Sequence, residues 1–320
     1  MENIAIKKVL VVGAGTMGYS LALTFAKGGF DVFLVDRESQ VLLNARKLID
    51  SALETLRQAE LITEGEASQV ISRIKTSTNL EEAAREADLV IETVTENASI
   101  KKDVFHLLDM NCPKHTILTS NTSYLNIFDI TETSRPDKVL IVHWFAPPHI
   151  IPLVEIVTGD KASPETVKTV KEVLEKIGKK PIVMKRYIPG FLVNRIQRAI
   201  QREAFYLLEN NYASIEDIDT AVKASLGIRL PIVGVLQTMD FSGLDLIATS
   251  RKNTPIELAP YYGVPKIVEQ KVKKGELGVK TGKGLYDYSG KSTEEILRER
   301  DLKYLKILRT LEETKEYHQD

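Results

Sequence analysis

The chain has 320 residues, which is long enough for two domains with separate hydrophobic cores. Hydrophobic residues make up 43% of it and charged residues 27%, as is typical of a soluble globular protein. Its 43 basic and 44 acidic residues leave a net charge of −1, which argues against a nucleic-acid partner. The single cysteine, Cys112, excludes an internal disulfide and fits a reducing compartment.

No signal peptide precedes the first apolar segment, so a cytoplasmic location is expected. The uncharged stretch from Val9 to Ala26 approaches the length of a membrane span. Three glycines and several hydroxyl side chains interrupt it, and these favour a loop and a helix of a globular domain. We therefore expect no membrane association.

The most informative motif lies near the N-terminus. The apolar run Val9 to Val12 is typical of a strand buried on both faces, and Gly13, Gly15 and Gly18 follow it as G-x-G-x-x-G. A helical stretch and a second apolar strand come next. Such a loop lets backbone N–H groups approach a pyrophosphate at the positive end of a helix. The order of strand, loop, helix and strand predicts dinucleotide binding.

Asp36 ends the second strand, where a carboxylate can accept hydrogen bonds from the adenosine ribose hydroxyls. Because a carboxylate repels a ribose phosphate, Asp36 favours NAD over NADP, whereas Arg37 beside it favours the opposite choice. A solvated acid at a strand end is the alternative interpretation of Asp36. The cofactor contacts predicted in this region are Gly13, Gly15, Thr16, Met17, Gly18, Asp36 and Arg37.

Short apolar strands and amphipathic helices then alternate. Strands are predicted at Ile74–Ser77, Leu89–Val94, Thr116–Thr119, Val139–Phe145, Leu153–Val157 and Pro181–Lys185. Helices are predicted at Ser39–Ile62, Leu80–Ala87, Ile100–Met110 and Ser163–Gly178, with a further one opened by a capping box at Thr63 and Glu66. This alternation predicts an α/β fold with a doubly wound, mostly parallel sheet.

A long helix, Phe191 to Leu208, follows Pro189 and Gly190, and no strand pattern occurs after it. We place a domain boundary near Tyr187, with a Rossmann domain over 1–187 and an all-helical domain over 188–320. The last helix, Ser292 to Leu311, carries an apolar stripe. Such a stripe packs on its own domain or on a partner subunit.

Oxidation of an alcohol with NAD needs a base for the hydroxyl proton, and histidine is the usual choice. His143 lies near the carboxyl end of an apolar strand, where open α/β sheets bind ligands. Glu155 lies in the next apolar strand, where a buried carboxylate needs a partner such as an imidazolium. From spacing alone, a core histidine and an edge-strand glutamate that never meet are an equal alternative. His106, His115 and His318 fall in helices, loops or the tail.

Further motifs follow one another through both parts of the chain. They are Gly13-x-Gly15-x-x-Gly18, Thr95-Glu96-Asn97 with Lys101, Ser120-Asn121-Thr122-Ser123, His143-Trp144-Phe145 to Glu155, Pro189 to Arg195, Glu216 to Asp219, Gly243-Leu244-Asp245 and Gly278 to Gly284. Together they resemble the L-3-hydroxyacyl-CoA dehydrogenase family, whose Rossmann domain is followed by a helical dimerisation domain.

The resemblance implies an NAD-dependent oxidoreductase of fatty acid metabolism. It would interconvert a (3S)-3-hydroxyacyl-CoA and a 3-oxoacyl-CoA by hydride transfer, as a cytoplasmic homodimer without a metal. By the same resemblance, His143 is the general base, Glu155 orients it, and Ser123 and Asn194 hydrogen-bond the substrate oxygen. Other interpretations are a helix cap for Ser123 and a solvated helix residue for Asn194.

The resemblance also adds Glu96, Lys101 and Lys280 to the residues that line the cofactor site. Both lysines have a simpler interpretation as surface charges. A non-catalytic NAD-binding sensor or structural protein is a second class of function for such a fold. A sensor has no need of the four predicted catalytic residues together, so their joint presence favours an enzyme.

Two departures from the family pattern concern the substrate. The family usually has Asn-Pro where this chain has Ala146-Pro147-Pro148, and Pro147 to Pro152 looks more like relatives that oxidise free hydroxy acids. These include the gulonate dehydrogenase/lambda-crystallin group and a pyridine-carboxylate alcohol dehydrogenase. The family's basic residues for the CoA phosphates correspond here to Arg57–Leu61, which has one base and one acid. A free small hydroxy acid, with Arg195 or Arg198 binding its carboxylate, is therefore an alternative substrate.

Overall fold

The structure is a computed structural model that describes residues 6–253, 256–261 and 263–316. Two compact units divide the chain between Asn194 and Arg195. This division lies a few residues after the boundary predicted near Tyr187, at the start of a long helix. His318, one of the histidines considered above, lies outside the described residues.

The first unit is built on an eight-stranded sheet with the order β3-β2-β1-β4-β5-β6-β7-β8. The strands are β1 (Lys8–Val12), β2 (Asp31–Val35), β3 (Ile74–Ser77), β4 (Leu89–Glu92), β5 (Ile117–Ser120), β6 (Val139–Trp144), β7 (Leu153–Thr158) and β8 (Lys180–Met184). Strands β6 and β7 pair antiparallel, and the other neighbouring strands pair parallel. The prediction of a mostly parallel, doubly wound sheet is confirmed.

Helices of the first unit connect these strands. They are α1 (Gly18–Lys27), α2 (Ser39–Gln58), α3 (Glu64–Ser72), α4 (Leu80–Ala84), α5 (Ala98–Asn111), α6 (Ile127–Ile130) and α7 (Pro164–Lys176). The apolar face predicted for α2 is buried, as Leu42, Ile49 and Leu53 show. The capping box of α3 is confirmed, because Thr63 Oγ1 accepts from the N–H of Glu66 and the Glu66 carboxylate accepts from the N–H of Thr63.

Several elements end earlier than predicted, and in β4 and α2 the cause is that side chains and turns satisfy the backbone. β4 ends at Glu92, since the Glu92 carboxylate accepts the N–H of Val94 at 2.7 Å in place of a ladder partner. α2 ends at Gln58, and Glu60 just beyond it takes a left-handed conformation with φ 59°. Element ends depend on such local contacts, which hydrophobic periodicity does not encode.

Helices dominate the second unit. After α8 (Val193–Glu209), which begins just before the division, the helices are α9 (Ile215–Ala221), α10 (Gly227–Ser242), α11 (Leu244–Asn253), α12 (Lys266–Lys273) and α13 (Thr293–Glu316). α10 is bent at Gly234, whose φ of 68° is not helical. Short antiparallel bridges join Gly278 to Lys283 and Lys283 to Asp287, so the unit is mainly helical rather than wholly so.

Two further observations concern α13 and the apolar helices. In the apolar stripe of α13, Leu305 is buried and Leu302, Leu308 and Leu311 are half-buried. Within the described residues, no single helix has both the length and the apolar composition for a membrane span. One pair bent by 77°, Ile215–Ser242 with Leu244–Asn253, meets those two criteria jointly.

Candidate active site

The glycine loop lies at the carboxyl ends of β1 and β4, where the strand order reverses and open α/β sheets bind ligands. Gly13 has φ 99°, and a Cβ there would lie 2.7 Å from the Thr93 carbonyl oxygen. A Cβ on Gly18 would lie 1.8 Å from the Gly13 carbonyl oxygen. Gly15 differs, because no described atom comes within 4 Å of its Cβ position. Gly13 and Gly18 therefore allow close packing of the backbone, and Gly15 leaves its own backbone open to a ligand.

Helix α1 starts directly after this loop. Its N-cap residue Met17 is half-buried, and the Met17 side chain makes no capping hydrogen bond. Thr16 is exposed at the same end. The first N–H groups of a helix need acceptors, and their partial positive charge attracts phosphate. Open backbone at Gly15 and an uncapped helix start therefore fit the pyrophosphate of a dinucleotide.

Asp36 is joined to the loop by its carboxylate. One carboxylate oxygen accepts the N–H of Ala14 at 2.9 Å, and the other accepts the N–H of Glu38 at 3.1 Å. Arg37 is exposed and lies 3.6 Å from the Glu38 carboxylate. The acid predicted to bind ribose therefore lies beside the phosphate-binding loop, while Arg37 is partly neutralised by its neighbour. Their contacts with a cofactor stay predictions.

A buried ion pair lies behind the carboxyl ends of β4 and β5. The Lys101 ammonium, only 1% exposed, donates to the Glu92 carboxylate at 2.7 Å and lies 3.4 Å from that of Glu96. Glu92 is completely buried and also accepts the Ser120 hydroxyl at 2.6 Å. Lys101 is thus not a surface charge. Sequence reasoning missed Glu92, although a charged residue closing the apolar run Leu89–Ile91 was a usable signal.

Glu96 fixes the loop that follows β5. One oxygen of its carboxylate accepts the Thr122 hydroxyl at 2.6 Å, and the same oxygen accepts the N–H groups of Ser123 and Tyr124 at 2.9 and 3.0 Å. Burial alone would raise the pKa of this carboxyl. These hydrogen bonds and the Lys101 ammonium outweigh burial, and they hold the pKa below its ordinary value. An ionised Glu96 therefore holds the segment that presents Ser123.

Ser123 is half-buried at the edge of the sheet that carries His143. The next helix, α6, has Asn126 at its N-cap position, so the interpretation of Ser123 as a helix cap is wrong. Asn121 in the same loop accepts the backbone N–H of Trp144 at 2.8 Å. This hydrogen bond ties the Ser123 loop to the residue that follows His143.

His143 and Glu155 lie directly opposite each other on the antiparallel strands β6 and β7. His143 Nδ1 is 2.7 Å from Glu155 Oε2, and both side chains are buried. The alternative that the two residues never meet is therefore wrong. A carboxylate accepts hydrogen bonds, so Nδ1 carries the shared proton and Nε2 is the nitrogen left for chemistry. The rings of Phe145 and Phe191 pack against the imidazole, with centroids 4.7 and 5.1 Å away.

The second oxygen of Glu155 holds the start of α8. It accepts the N–H groups of Leu192 and Val193 at 3.0 and 2.9 Å. Asn194 is the next residue and is half-buried, and its role at the substrate stays a prediction. One carboxylate therefore orients the imidazole and anchors the segment that carries Asn194.

The remaining predicted residues belong to the second unit. Lys280 is exposed in a single helical turn, Val279–Thr281, flanked by Gly278 and Gly282 with positive φ. Arg195 and Arg198 are exposed on α8. Their roles at a cofactor or substrate stay predictions. In the described part of the chain, no group of three or more His, Cys, Asp or Glu residues is arranged to hold a metal ion.

A glycine loop at the sheet's switch point and a buried His–Glu pair on the same edge define a dinucleotide-dependent dehydrogenase. The family model of the 3-hydroxyacyl-CoA dehydrogenase NAD-binding domain matches residues 8–187, and that of the C-terminal domain matches residues 190–288. The chain belongs to the 3-hydroxyacyl-CoA dehydrogenase family, and its cofactor is NAD.

Two relatives and one solved structure show the range of this similarity. A 5-formyl-3-hydroxy-2-methylpyridine 4-carboxylate 5-dehydrogenase from Mesorhizobium japonicum is 33% identical over 308 residues, which cover 96% of this chain and 99% of that protein. A probable 3-hydroxybutyryl-CoA dehydrogenase from Bacillus subtilis is 37% identical over 291 residues, covering 90% and 99%. A crystal structure of a dehydrogenase for the pyridine carboxylate superposes with a TM-score of 0.86 at 32% identity, covering 96% and 99%.

The glycine loop generates a test of the cofactor site. Gly15→Ala should leave the thermal unfolding temperature unchanged, because its Cβ meets no described atom within 4 Å. It should weaken NADH binding by about tenfold or more, because a methyl group blocks approach of the phosphates. Gly18→Ala is the contrasting variant and should lower the unfolding temperature without ligand, since its Cβ meets the Gly13 carbonyl. Fluorescence titration with NADH and thermal unfolding measure both effects. Unchanged NADH affinity in Gly15→Ala would contradict this location of the phosphates.

Proposed function

We propose that this protein is an NAD-dependent dehydrogenase that interconverts a (3S)-3-hydroxyacyl-CoA and a 3-oxoacyl-CoA, with His143 as the general base. The observation that carries the proposal is the buried 2.7 Å contact between His143 Nδ1 and Glu155 Oε2 on the ligand-binding edge of the sheet. Family membership supports the reaction class. Action in fatty acid metabolism and a cytoplasmic location are parts of the same proposal.

In the proposed mechanism, His143 Nε2 takes the proton of the substrate hydroxyl as the carbonyl forms. The negative charge of Glu155 then stabilises the imidazolium that this transfer produces. Ser123 and Asn194 hydrogen-bond the substrate oxygen and hold it beside Nε2. NAD, when bound at the glycine loop, would supply the hydride acceptor for the oxidation, and NADH would supply the hydride for the reverse reaction. The rings of Phe145 and Phe191 exclude water from one side of the imidazole.

Substitution of the base tests this mechanism. His143→Gln should lower kcat by about two orders of magnitude or more, because glutamine cannot take the proton. NADH affinity should change little, since His143 is not part of the glycine loop. His115→Gln is a matched control, because His115 is an exposed histidine paired with Asp88 at 2.9 Å. Near-full activity of His143→Gln would place the base elsewhere, with His149 as the next candidate.

A second candidate substrate, a free small hydroxy acid, is favoured by the charges at the end of α2. The guanidinium of Arg57 lies 3.1 Å from the Glu54 carboxylate and 3.9 Å from that of Glu64. The one base in the segment that corresponds to the family's CoA-phosphate site is therefore partly neutralised. Phosphate recognition needs concentrated positive charge, so this segment offers a CoA phosphate little attraction.

The comparisons support the same candidate. The Mesorhizobium relative is named for a pyridine carboxylate and aligns with 96% of this chain, whereas the 3-hydroxybutyryl-CoA relative aligns with 90%. The family model of the C-terminal domain ends at residue 288 and therefore does not cover α13, which begins at Thr293. A free carboxylate needs its own cation, and Arg195 or Arg198 would supply it in this proposal.

The ratio of kcat/KM for acetoacetyl-CoA to that for acetoacetate decides between these candidates. We expect the thioester to be preferred by less than about a thousandfold, because Arg57 is already paired with acids. A larger preference would show that other residues hold the CoA. A preference for the free acid would establish the second candidate. NADH binding without turnover of either compound or of a panel of keto acids would favour the non-catalytic sensor.

We further propose a homodimer formed through the helical unit. Large apolar side chains on α10 and α11 are exposed, among them Leu236 at 78% and Phe241 at 76%. Monomeric proteins seldom expose so much apolar surface in one region, and a second copy would cover it.

Light scattering at micromolar concentration should give twice the monomer mass. Leu236→Glu with Phe241→Glu should give monomers, whereas the surface variant Lys303→Glu should stay dimeric. A wild-type monomer would contradict the proposal.

A further inference from the structure

Lys179 is a buried cation that the proposed chemistry does not use. It is 8% exposed, and its ammonium donates to the carbonyl oxygens of Pro148 at 2.5 Å and Ile151 at 3.0 Å. The same nitrogen lies 5.9 Å from the centre of the Trp144 ring. Burial, together with the nearby charge of Lys27, lowers the pKa of Lys179 to about 8. In the described part of the chain, no carboxylate is among its hydrogen-bond or ion-pair partners.

The two carbonyls belong to residues 147–152, which we call the proline loop. Three of its six residues are prolines and carry no N–H group. The N–H of His149 donates to Ser20 Oγ at 3.1 Å, and those of Ile150 and Ile151 both donate to the Pro147 carbonyl at 3.0 Å. Every backbone N–H group of the loop is therefore hydrogen-bonded, and these contacts favour a single fixed conformation of the loop.

The proline loop connects the strand of the proposed base with the strand of its partner. It begins soon after His143 on β6 and ends at Pro152, directly before Leu153, the first residue of β7. Within the loop, His149 Nδ1 lies 2.7 Å from the hydroxyl of Ser20 in the first turn of α1. Lys179, which precedes β8, binds the Pro148 and Ile151 carbonyls of the same loop. The loop is thus fixed at two points, and it joins the strands that carry the proposed catalytic pair.

An apolar residue at position 179 would avoid the cost of burying a charge. It would also leave two converging carbonyls without a donor, and unsatisfied buried carbonyls are costly as well. An ammonium is compact and can direct separate N–H groups at both oxygens, which a planar guanidinium does less readily in a closed space. A lysine is therefore suited to bind both carbonyls of the proline loop, and we call this pair of hydrogen bonds the clamp.

We propose that Lys179 is a positioning residue for substrate selection, which fixes the proline loop between the strands of His143 and Glu155 and so affects which acyl or acid group the enzyme accepts. This inference rests on the proposed function. It differs from that function in assigning discrimination between substrates to a residue that touches neither substrate nor cofactor. Ser20 binds His149 of the same loop and should act in the same direction.

Hydrogen exchange measured by mass spectrometry on the full-length protein tests the clamp without catalysis. In Lys179→Met, the amides of His149, Ile150 and Ile151 should exchange about tenfold faster, while the amides of β1 and β4 keep their wild-type rates. Lys168→Met, a variant of an exposed lysine on α7, should leave the loop unchanged. Unchanged exchange in Lys179→Met would overturn the clamp. If that variant unfolds throughout, Ser20→Ala replaces it, because it removes the other anchor and no charge.

Substrate discrimination tests the consequence. The ratio of kcat/KM for acetoacetyl-CoA to that for acetoacetate should change about fivefold or more in Lys179→Met and in Ser20→Ala. A loss of folded enzyme lowers both values equally and leaves this ratio unchanged, so a purely structural role is distinguished. A ratio within about twofold of wild type in both variants would overturn the inference. Wild-type inactivity on every substrate would instead overturn the proposed function, and hydrogen exchange would still decide whether Lys179 clamps the loop.

Discussion

The buried hydrogen bond between His143 and Glu155 depends on the direction of a single strand. Because β7 runs antiparallel to β6, residues separated by the connecting loop lie directly opposite each other, and their side chains meet at 2.7 Å. A buried carboxylate needs a donor at each oxygen. Glu155 has the imidazole at one oxygen and two backbone N–H groups of the α8 start at the other. Reversal of β7 thus brings the proposed base, its partner and the segment of Asn194 together.

Glu92 on β4 repeats the arrangement of Glu155 elsewhere on the same sheet. Its carboxylate receives the Lys101 ammonium, the Ser120 hydroxyl and a backbone N–H, so a completely buried charge has several donors. Glu96 extends the network to the loop of Ser123. Buried carboxylates with full sets of donors fix the geometry of the residues that hold them, because losing any donor leaves a charge uncompensated. The edge of the sheet is therefore ordered before any ligand arrives.

The sheet and the glycine loop were predictable because their signals are local. The pairing of His143 with Glu155 came from the family resemblance, because spacing alone left it open whether the two residues meet. Apolar runs mark buried strands, and glycine spacing marks a loop that side chains would block. Glu92 and Lys179 were missed because their partners lie far away in sequence, at Ser120 and at Pro148. The bend of α10 at Gly234 and the early end of β4 depend likewise on tertiary contacts. Hydrophobic periodicity carries no information on such pairings.

The difference between local sequence signals and tertiary contacts also explains why the reaction class of the family can be assigned to this chain more readily than its substrate. Cofactor binding relies on backbone N–H groups and on glycines whose replacement would create contacts as short as 1.8 Å, so sequence and structure are tightly linked there. Recognition of the phosphate or carboxylate of a substrate relies on side-chain charge, which a neighbouring acid can offset without any change of fold. Glu54 and Glu64 partly offset the charge of Arg57 in this way. A dehydrogenase with an unchanged base and cofactor site can therefore exchange a thioester for a free acid through a few surface charges and the shape of one loop.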